Sequence, residues 1–151
     1  MKDIIHALKY DRRRSISPRL GALMRTSGAA LLRDADAVVP VPLHPRREYA
    51  RGFNQAHDLA LQLGPPVVTL LARSRHTRSQ VDLPAHQRQR NVENAFCLRP
   101  SAIGQRPRIV VLVDDVSTTG ATLEACGRVL KAAGVCEVRA LTAARVVSAR
   151  H

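Results

Sequence analysis

This sequence of 151 residues has few aromatic residues and few cysteines. Tryptophan is absent, and aromatic residues make up 3% of the chain. The three cysteines, Cys97, Cys126 and Cys136, are odd in number and form no C-x-x-C pair, and the histidines show no metal-ligand spacing. We therefore expect no disulfide framework and no zinc site, a pattern typical of a reduced cytoplasmic protein with buried thiols.

Long apolar runs are also missing. No stretch approaches the roughly 20 apolar residues of a membrane-spanning helix. At the amino-terminal end the charges follow a short apolar stretch, and no small-residue cleavage site comes after them. We therefore expect no membrane span and no secretory signal. With 45% hydrophobic residues, the chain can bury a core of its own, and its length predicts one domain, 1–151.

Acidic residues are scarce relative to basic ones. Twelve Asp and Glu oppose 24 Lys and Arg, and all but three of these cations are arginines, so the net charge is +12. The segment 73–108 is especially basic, with eight arginines against two acids. Arginine's planar fork suits phosphate and carboxylate, so the composition favours an anionic partner such as single-stranded DNA. Alternatively, the arginines reflect an arginine-rich composition and serve only as solvated surface cations.

The order of predicted elements is that of an α/β fold. We predict two helices within 1–33, the first carrying Ile4, Ile5 and Leu8 and the second running from Ser17 to about Arg33. Segments 42–52 and 73–107 are predicted as loops, the longer one with room for one hairpin. Strands are predicted at 37–41, 67–71, 109–113 and 137–142, and further helices at 53–63 and 122–133.

The run 109–113 is continuous and β-branched, which predicts a central strand of a parallel sheet. Asp114 and Asp115 follow it, at the sheet end where α/β proteins bind ligands. A hydroxyl- and glycine-containing loop then leads into a helix and offers a cradle for a phosphate. The pattern predicts a ligand with a sugar diol and a phosphate. Alternatively, the acids merely end the strand and a threonine caps the helix.

The stretch 110–122 resembles the phosphoribosyl-pyrophosphate (PRPP) signature of type I phosphoribosyltransferases. The resemblance implies a type I phosphoribosyltransferase-like fold, with a parallel sheet flanked by helices and a mobile loop over the site. It implies that Asp114 and Asp115 contact the ribose hydroxyls. Thr118 stands where the hypoxanthine–guanine branch has an Asp, which is more like the orotate branch. The residues implied for the 5′-phosphate are Ser117, Thr118, Thr119, Gly120, Ala121 and Thr122.

A second stretch, 39–56, resembles the V-P-x-P-x-x-x-x-R-x-x-x-R-G-[FY]-[ND]-[QH] pattern of ComF/GntX-type proteins, the competence-associated branch of that family. Its Arg46, Arg47, Arg51 and Gly52 are candidates for binding the pyrophosphate, although the arginines could also form a solvated loop face. Segment 80–96 resembles that branch's mobile loop, and there Arg88 is a candidate catalytic residue. Members of the branch usually begin with a four-cysteine zinc module, which this sequence lacks.

The resemblance implies transfer of ribose 5-phosphate from PRPP to an unidentified nitrogen acceptor, a base or an amine. Mg²⁺ would be the cofactor, held by the pyrophosphate and in part by Asp114 and Asp115. The competing interpretation is a non-catalytic accessory protein of DNA uptake that binds PRPP, a nucleotide or single-stranded DNA. A decayed site is the third interpretation, and the sequence leaves a homodimer open.

Overall fold

The computed structural model describes residues 17–73, 94–105 and 107–145. The helix predicted around Ile4, Ile5 and Leu8 lies outside these residues, as do Arg88 and most of the predicted 73–107 loop. The described elements, in chain order, are α1 (Ser17–Ser27), α2 (Ala29–Leu32), β1 (Ala37–Pro40), α3 (Pro45–Arg51), α4 (Gln55–Ala60), β2 (Leu71–Arg73), β3 (Phe96–Leu98), a 3-10 turn (Pro100–Ala102), β4 (Ile109–Ser117), α5 (Ala121–Ala132) and β5 (Glu137–Arg145).

The main sheet of the described residues is parallel and has the strand order β1-β4-β5. Strand β4 is central, as predicted, and α5 connects it to β5 in a βαβ unit. The predicted α/β class is therefore confirmed, with β4 and β5 longer than expected. No described helix is both long and apolar enough to cross a bilayer.

Strand β4 is covered on both of its faces. Val110 and Leu112 belong to one apolar cluster with residues of α5, β2 and β3. Val111 and Val113 belong to a second cluster, which α1 and α4 supply from the other side. All four side chains are 0–1% exposed. Successive side chains of a strand point to opposite faces, so the continuous apolar run required a helical layer on each side.

The strand predicted at 67–71 is wrong in its position. The chain forms one isolated bridge to β1, between Val67 and Val38, and becomes a strand only at Leu71–Arg73. That strand pairs antiparallel with β3, outside the main sheet. The bridge cannot extend back along the chain, because Pro66 has no N–H and can only accept the bond from Val38.

The loop predicted at 42–52 is also wrong, because it contains helix α3. The His44 imidazole nitrogen Nδ1 accepts the backbone N–H of Arg46 at 3.2 Å, and Pro45 occupies the first turn. Gly52 ends the helix in the left-handed conformation, with φ of 76°. Helix α4 is shorter than the predicted 53–63, because Asn54 caps it and it ends at Ala60.

The helix predicted to run from Ser17 to Arg33 is divided at Gly28. Both glycines of this region allow close packing that a side chain would prevent. A Cβ on Gly28 would lie 2.7 Å from Leu141 of β5, and one on Gly21 would overlap the Cβ of Gln62, next to α4. The glycines thus let α1 and α2 lie directly on their neighbours.

Two polar contacts tie the α2–β1 connection to the sheet. The Asp36 carboxylate accepts the backbone N–H groups of Arg108 and Ile109 at 2.8 and 2.9 Å. These two hydrogen bonds lower the pKa of Asp36 below its ordinary value of 3.8. Arg139 of β5 donates to the carbonyls of Leu31 and Arg33, at the end of α2. The start of β1 is therefore held beside the start of β4.

We expect Gly21→Ala to lower the free energy of unfolding by about 1–3 kcal/mol, the usual effect of overpacking. Gly127→Ala in α5 is the matched control, because its Cβ would meet Val138 at an ordinary 3.9 Å. Removing a helix-interior glycine should then stabilise the protein by roughly 0.5–1 kcal/mol. Urea denaturation of both variants measures these changes, and equal changes in the two would contradict the close approach of α1 to Gln62.

We expect Asp36→Asn to lower the melting temperature near neutral pH and to have no effect in strong acid. The folded state lowers the pKa of this carboxyl, so its contribution is present above the unfolded pKa and is lost as the pH falls through the folded pKa. The melting temperatures of both proteins, measured from about pH 6 to about pH 2.5, should therefore converge. Asp34→Asn removes a charge from the same turn without touching either bond, so it should not reproduce the convergence.

Candidate functional site

The two acids lie within β4, not after it. β1 ends at Pro40, which pairs with Val113, whereas β4 continues to Ser117 alongside β5. The carbonyl of Val113 accepts the N–H of Val41, which is the last bond between these two strands. Beyond Val41 the chain leaves the sheet and forms α3, which begins at Pro45. The carboxyl end of β4 therefore projects past β1.

Each carboxylate accepts a hydrogen bond from the backbone N–H of the next residue. Asp114 Oδ1 accepts the N–H of Asp115, and Asp115 Oδ1 accepts the N–H of Val116, both at 2.8 Å. An ionised carboxylate has lone pairs for further donors, so these bonds orient the groups without exhausting them. Strand alternation places Asp114 on the face that Leu112 and α5 occupy and Asp115 on the opposite face. The two acids thus differ in their surroundings.

The loop after β4, the predicted phosphate cradle, is open to solvent around Gly120. Thr118 and Thr119 are exposed, and Gly120 has φ of 82°, with no atom within 4 Å of the place where a Cβ would be. The Ala121 N–H donates to Thr119 Oγ1 at 3.4 Å, and Ala121 begins α5. The start of α5 thus leaves room for a ligand beside its first backbone N–H groups.

Helix α3 carries the candidate pyrophosphate residues. Arg46 is exposed, whereas Arg47 and Arg51 are half-buried. Arg51 donates to the side-chain oxygen of the buried Gln55 at 3.4 Å. The Gly52 N–H donates to the Glu48 carbonyl at 2.7 Å. Gly52 thus ends the helix and its own N–H is committed to that end, while its part in pyrophosphate binding stays a prediction.

Arg73 lies within electrostatic range of Arg47, Cys126 and Asp114. Burial, followed by the neighbouring charge of Arg47, lowers the pKa of Arg73, while Cys126 and Asp114 act in the opposite direction. Burial, followed by the charge of Asp114, raises the pKa of the Cys126 thiol, so Cys126 stays neutral. The structure thus brings Arg47 of α3 and Asp114 of β4 around one half-buried arginine.

Arg73 had not been selected as a site residue from the sequence. It lies at the boundary between a predicted strand and a predicted loop, and no local motif marks it. The sequence did contain one indication, because Arg73 comes directly after an apolar run. A residue at the carboxyl end of a strand is a candidate for ligand binding in any α/β protein. Its position beside Asp114 depends on the pairing of β2 with β3, which the sequence does not reveal.

The described residues could hold Mg²⁺ through few protein ligands. No group of three or more His, Cys, Asp or Glu side chains gathers within 17–73, 94–105 and 107–145. Two adjacent carboxylates at a strand end suit Mg²⁺, because this ion takes most of its ligands from water and phosphate. The site therefore suits Mg²⁺ that arrives with a phosphorylated ligand, and it does not resemble an all-protein cage.

Comparison with known proteins places this geometry in context. The family model "Phosphoribosyl transferase domain" matches residues 49–150. Competence protein F of Haemophilus influenzae is 40% identical over 73% of this chain and 50% of its own length. DNA utilization protein YhgH of Escherichia coli K12 is 36% identical over 92% of this chain and 64% of its own length. The chain thus spans less than two thirds of either relative.

Solved structures share the fold at lower identity. The allosteric regulatory enzyme of purine biosynthesis aligns with a TM-score of 0.54 and 24% identity, over 86% of this chain and 26% of that one. Glutamine PRPP amidotransferase from B. subtilis, complexed with ADP and GMP, aligns with a TM-score of 0.55 and 23% identity, over the same shares of the two chains. The parallel sheet flanked by helices is thus found in both.

Proposed function

Because this chain belongs to the phosphoribosyltransferase family, in its competence-associated ComF-type branch, we propose that it binds PRPP and transfers ribose 5-phosphate to a nitrogen acceptor. The observation that carries the proposal is the end of β4, where two carboxylates and an open Thr-Thr-Gly loop follow one another. Carboxylates accept hydrogen bonds from a sugar diol, and the loop with the start of α5 suits a phosphate. One ligand, ribose 5-phosphate, carries both groups.

In the proposed reaction, the bond from ribose C1 to the pyrophosphate oxygen breaks and a bond from C1 to the acceptor nitrogen forms. Pyrophosphate leaves with the electron pair, and the acceptor nitrogen loses a proton. Asp114 and Asp115 hold the ribose hydroxyls and so fix the position of C1. The arginines of α3, Arg46, Arg47 and Arg51, face the charge that develops on the leaving group. Arg88 stays a prediction outside the described residues.

Mg²⁺ bound to the pyrophosphate would supply further neutralisation of the leaving group. Asp114 and Asp115 are the described residues that fit it, as ligands or through water. The acceptor is a base or an amine that the described residues do not identify. We place the protein in the cytoplasm, because three unpaired cysteines suit a reducing compartment. The expectation of buried thiols is correct for Cys126 and wrong for Cys97 and Cys136, which are exposed. A single domain over 1–151 and a homodimer stay predictions.

A second candidate function is binding of single-stranded DNA, and Tyr49 of α3 favours it. Its side chain is 93% exposed, which is unusual for so large an aromatic residue. It lies among Arg46, Arg47 and Arg51 on one short helix. An exposed ring beside cations is the combination that stacks a base while neutralising its phosphates. The relatives named for competence and for DNA utilization are consistent with such a role.

We expect Asp114→Asn and Asp115→Asn each to weaken PRPP binding while the fold is preserved, because Asn is nearly isosteric and both side chains are only half-buried. Hydrogen bonds to a charged group contribute about 1.5–3 kcal/mol, which is roughly 10- to 150-fold in affinity. The double variant should bind barely or not at all. Calorimetric titration with PRPP and Mg²⁺ measures the loss.

Asp34→Asn is the control for that loss of charge, because Asp34 precedes β1 and lies at the opposite end of the parallel strands. It should bind PRPP as the wild type does. Normal binding by both site variants, with unchanged circular dichroism, would mean that the acids do not hold the sugar. The proposed function would then fail at its central observation.

We expect weak, sequence-independent binding of single-stranded DNA that decreases steeply with salt, by roughly 0.7 log units per log unit for each phosphate contacted. Tyr49→Ala should cost about 1–3 kcal/mol of that binding, the usual contribution of one stacked base. Tyr49→Phe keeps the ring and should retain it. Fluorescence anisotropy with labelled oligothymidine measures both, and either a flat salt response or an inert Tyr49→Ala would contradict this role.

A further inference from the structure

Asn54 joins the α3–α4 corner, residues 52–54, to the end of β1, and the proposed reaction gives it no role. Its side-chain Nδ2 donates to the carbonyl of Val41 at 3.1 Å. The other amide atom, Oδ1, accepts the N–H of Ala56 at 3.0 Å and so caps α4. Asn54 is half-buried and Val41 is buried. The two polar atoms of one amide group thus bond to two different parts of the fold.

The bond to Val41 closes a loop that contains all of α3. Asn54 and Val41 lie 13 residues apart in the chain, and α3 (Pro45–Arg51) lies between them. Within this loop α3 has ends of its own, because His44 caps its start and Gly52 ends it. The helix therefore has what it needs to form without Asn54. The Asn54 bond adds an attachment of the α3–α4 corner to the sheet.

Val41 connects this loop to the strand that carries the acid pair. Its N–H donates to the carbonyl of Val113 in β4 at 2.9 Å, and Val113 directly precedes Asp114. The carbonyl of the same Val41 accepts from Asn54. A short hydrogen-bonded path thus leads from the ribose end of the proposed site to the α3–α4 corner.

The same corner holds one of the candidate pyrophosphate arginines. Arg51, the last residue of α3, donates from Nη1 to Oε1 of Gln55 at 3.4 Å. Gln55 is 2% exposed and directly follows Asn54. A ligand that fixes a long side chain must overcome the loss of its rotamer freedom, and a contact that exists before binding reduces this loss. Attachment of the corner therefore prepares Arg51 for an anion.

We propose that Asn54 is a positioning residue for the pyrophosphate end of the ligand. Its Nδ2 holds the α3–α4 corner, and with it Arg51, at the end of β1 without touching the ligand. The proposal rests on the proposed function, because that function gives the α3 arginines to the pyrophosphate. It separates two tasks of one side chain: Oδ1 stabilises α4, and Nδ2 fixes the position of α3 relative to the acid pair.

The test compares Asn54→Ser with the wild type by calorimetric titration with pyrophosphate and with ribose 5-phosphate, each with Mg²⁺. Ser accepts the Ala56 N–H as Asn does, but its shorter side chain has no amide N–H for Val41. Pyrophosphate binding should weaken about three- to tenfold, the usual effect of one lost hydrogen bond. Ribose 5-phosphate binding should change less than about twofold, because the acid pair and the loop after β4 are not altered.

Two further variants separate positioning from loss of stability. Asn54→Ala removes the cap of α4 as well, so it should unfold at a lower urea concentration than Asn54→Ser and still bind pyrophosphate equally well. Gln105→Ala removes the same kind of bond outside α3 and α4, where Gln105 Nε2 donates to the Ser101 carbonyl at 3.3 Å. This control should bind both compounds as the wild type does.

If Asn54→Ser does not fold, Asn54→Asp decides. Asp keeps the shape of Asn and caps a helix equally well, but it has no N–H for Val41. Its titration is run beside the wild type at about 1 M salt, which screens the added charge beyond roughly 3 Å. Wild-type pyrophosphate affinity in a folded Asn54→Asp overturns the proposal, and a loss confined to pyrophosphate supports it.

The remaining outcomes distinguish this inference from the proposed function. Wild-type pyrophosphate affinity in Asn54→Ser, equal losses for the two compounds, or a larger pyrophosphate loss in Asn54→Ala than in Asn54→Ser overturn the positioning role and leave the proposed function standing. A folded wild-type protein that binds neither compound overturns both. A loss confined to pyrophosphate and equal in the serine and alanine variants, with an unaffected Gln105→Ala, supports the positioning role.

Discussion

Burial of Val110, Val111, Leu112 and Val113 on both faces of the sheet determines where the other elements lie. Each such side chain contributes about 1.5–3 kcal/mol when it leaves water. The side chains on one face are covered by α5 and the β2–β3 pair, and those on the other face are covered by α1 and α4. Close approach of α1 at Gly21 and the Asp36 contacts at the start of β4 serve this same packing. The candidate site lies where this burial ends.

The site arises from a difference in strand length. β1 ends at Pro40, whereas β4 continues to Ser117 with β5 as its partner. Beyond Val113 the side chains change from fully buried to half-buried. Asp114 and Asp115 occupy this transition, where each carboxylate accepts a backbone N–H and is still partly exposed. The chain that leaves β1 forms α3, which brings Arg47 into the electrostatic environment of Arg73 and Asp114.

Charge has different consequences at different positions in this molecule. The net charge of +12 favours anionic partners in general, and it does not distinguish PRPP from DNA. Burial makes the distinction, because Arg73 and Arg47 are half-buried near Asp114, whereas Arg46 and Tyr49 face solvent on the same helix. In these proposals Arg47 serves the small phosphorylated ligand, while Tyr49 stacks a base of the nucleic acid strand. The proposed enzymatic and DNA-binding functions are thus not exclusive.

The sequence alone determined the central strand, the βαβ unit, the acid pair and the Thr-Thr-Gly loop, because these depend on local pattern and on residues adjacent in the chain. It failed at α3, where Pro45 and Gly52 were visible but polar composition suggested a loop, and at 67–71, where an apolar run makes a single bridge. Only the tertiary structure decided the pairing of β2 with β3. That pairing sets Arg73 against Phe96 and beside Asp114. Such contacts join residues distant in the chain, and their stability comes from shared burial, which no local pattern encodes.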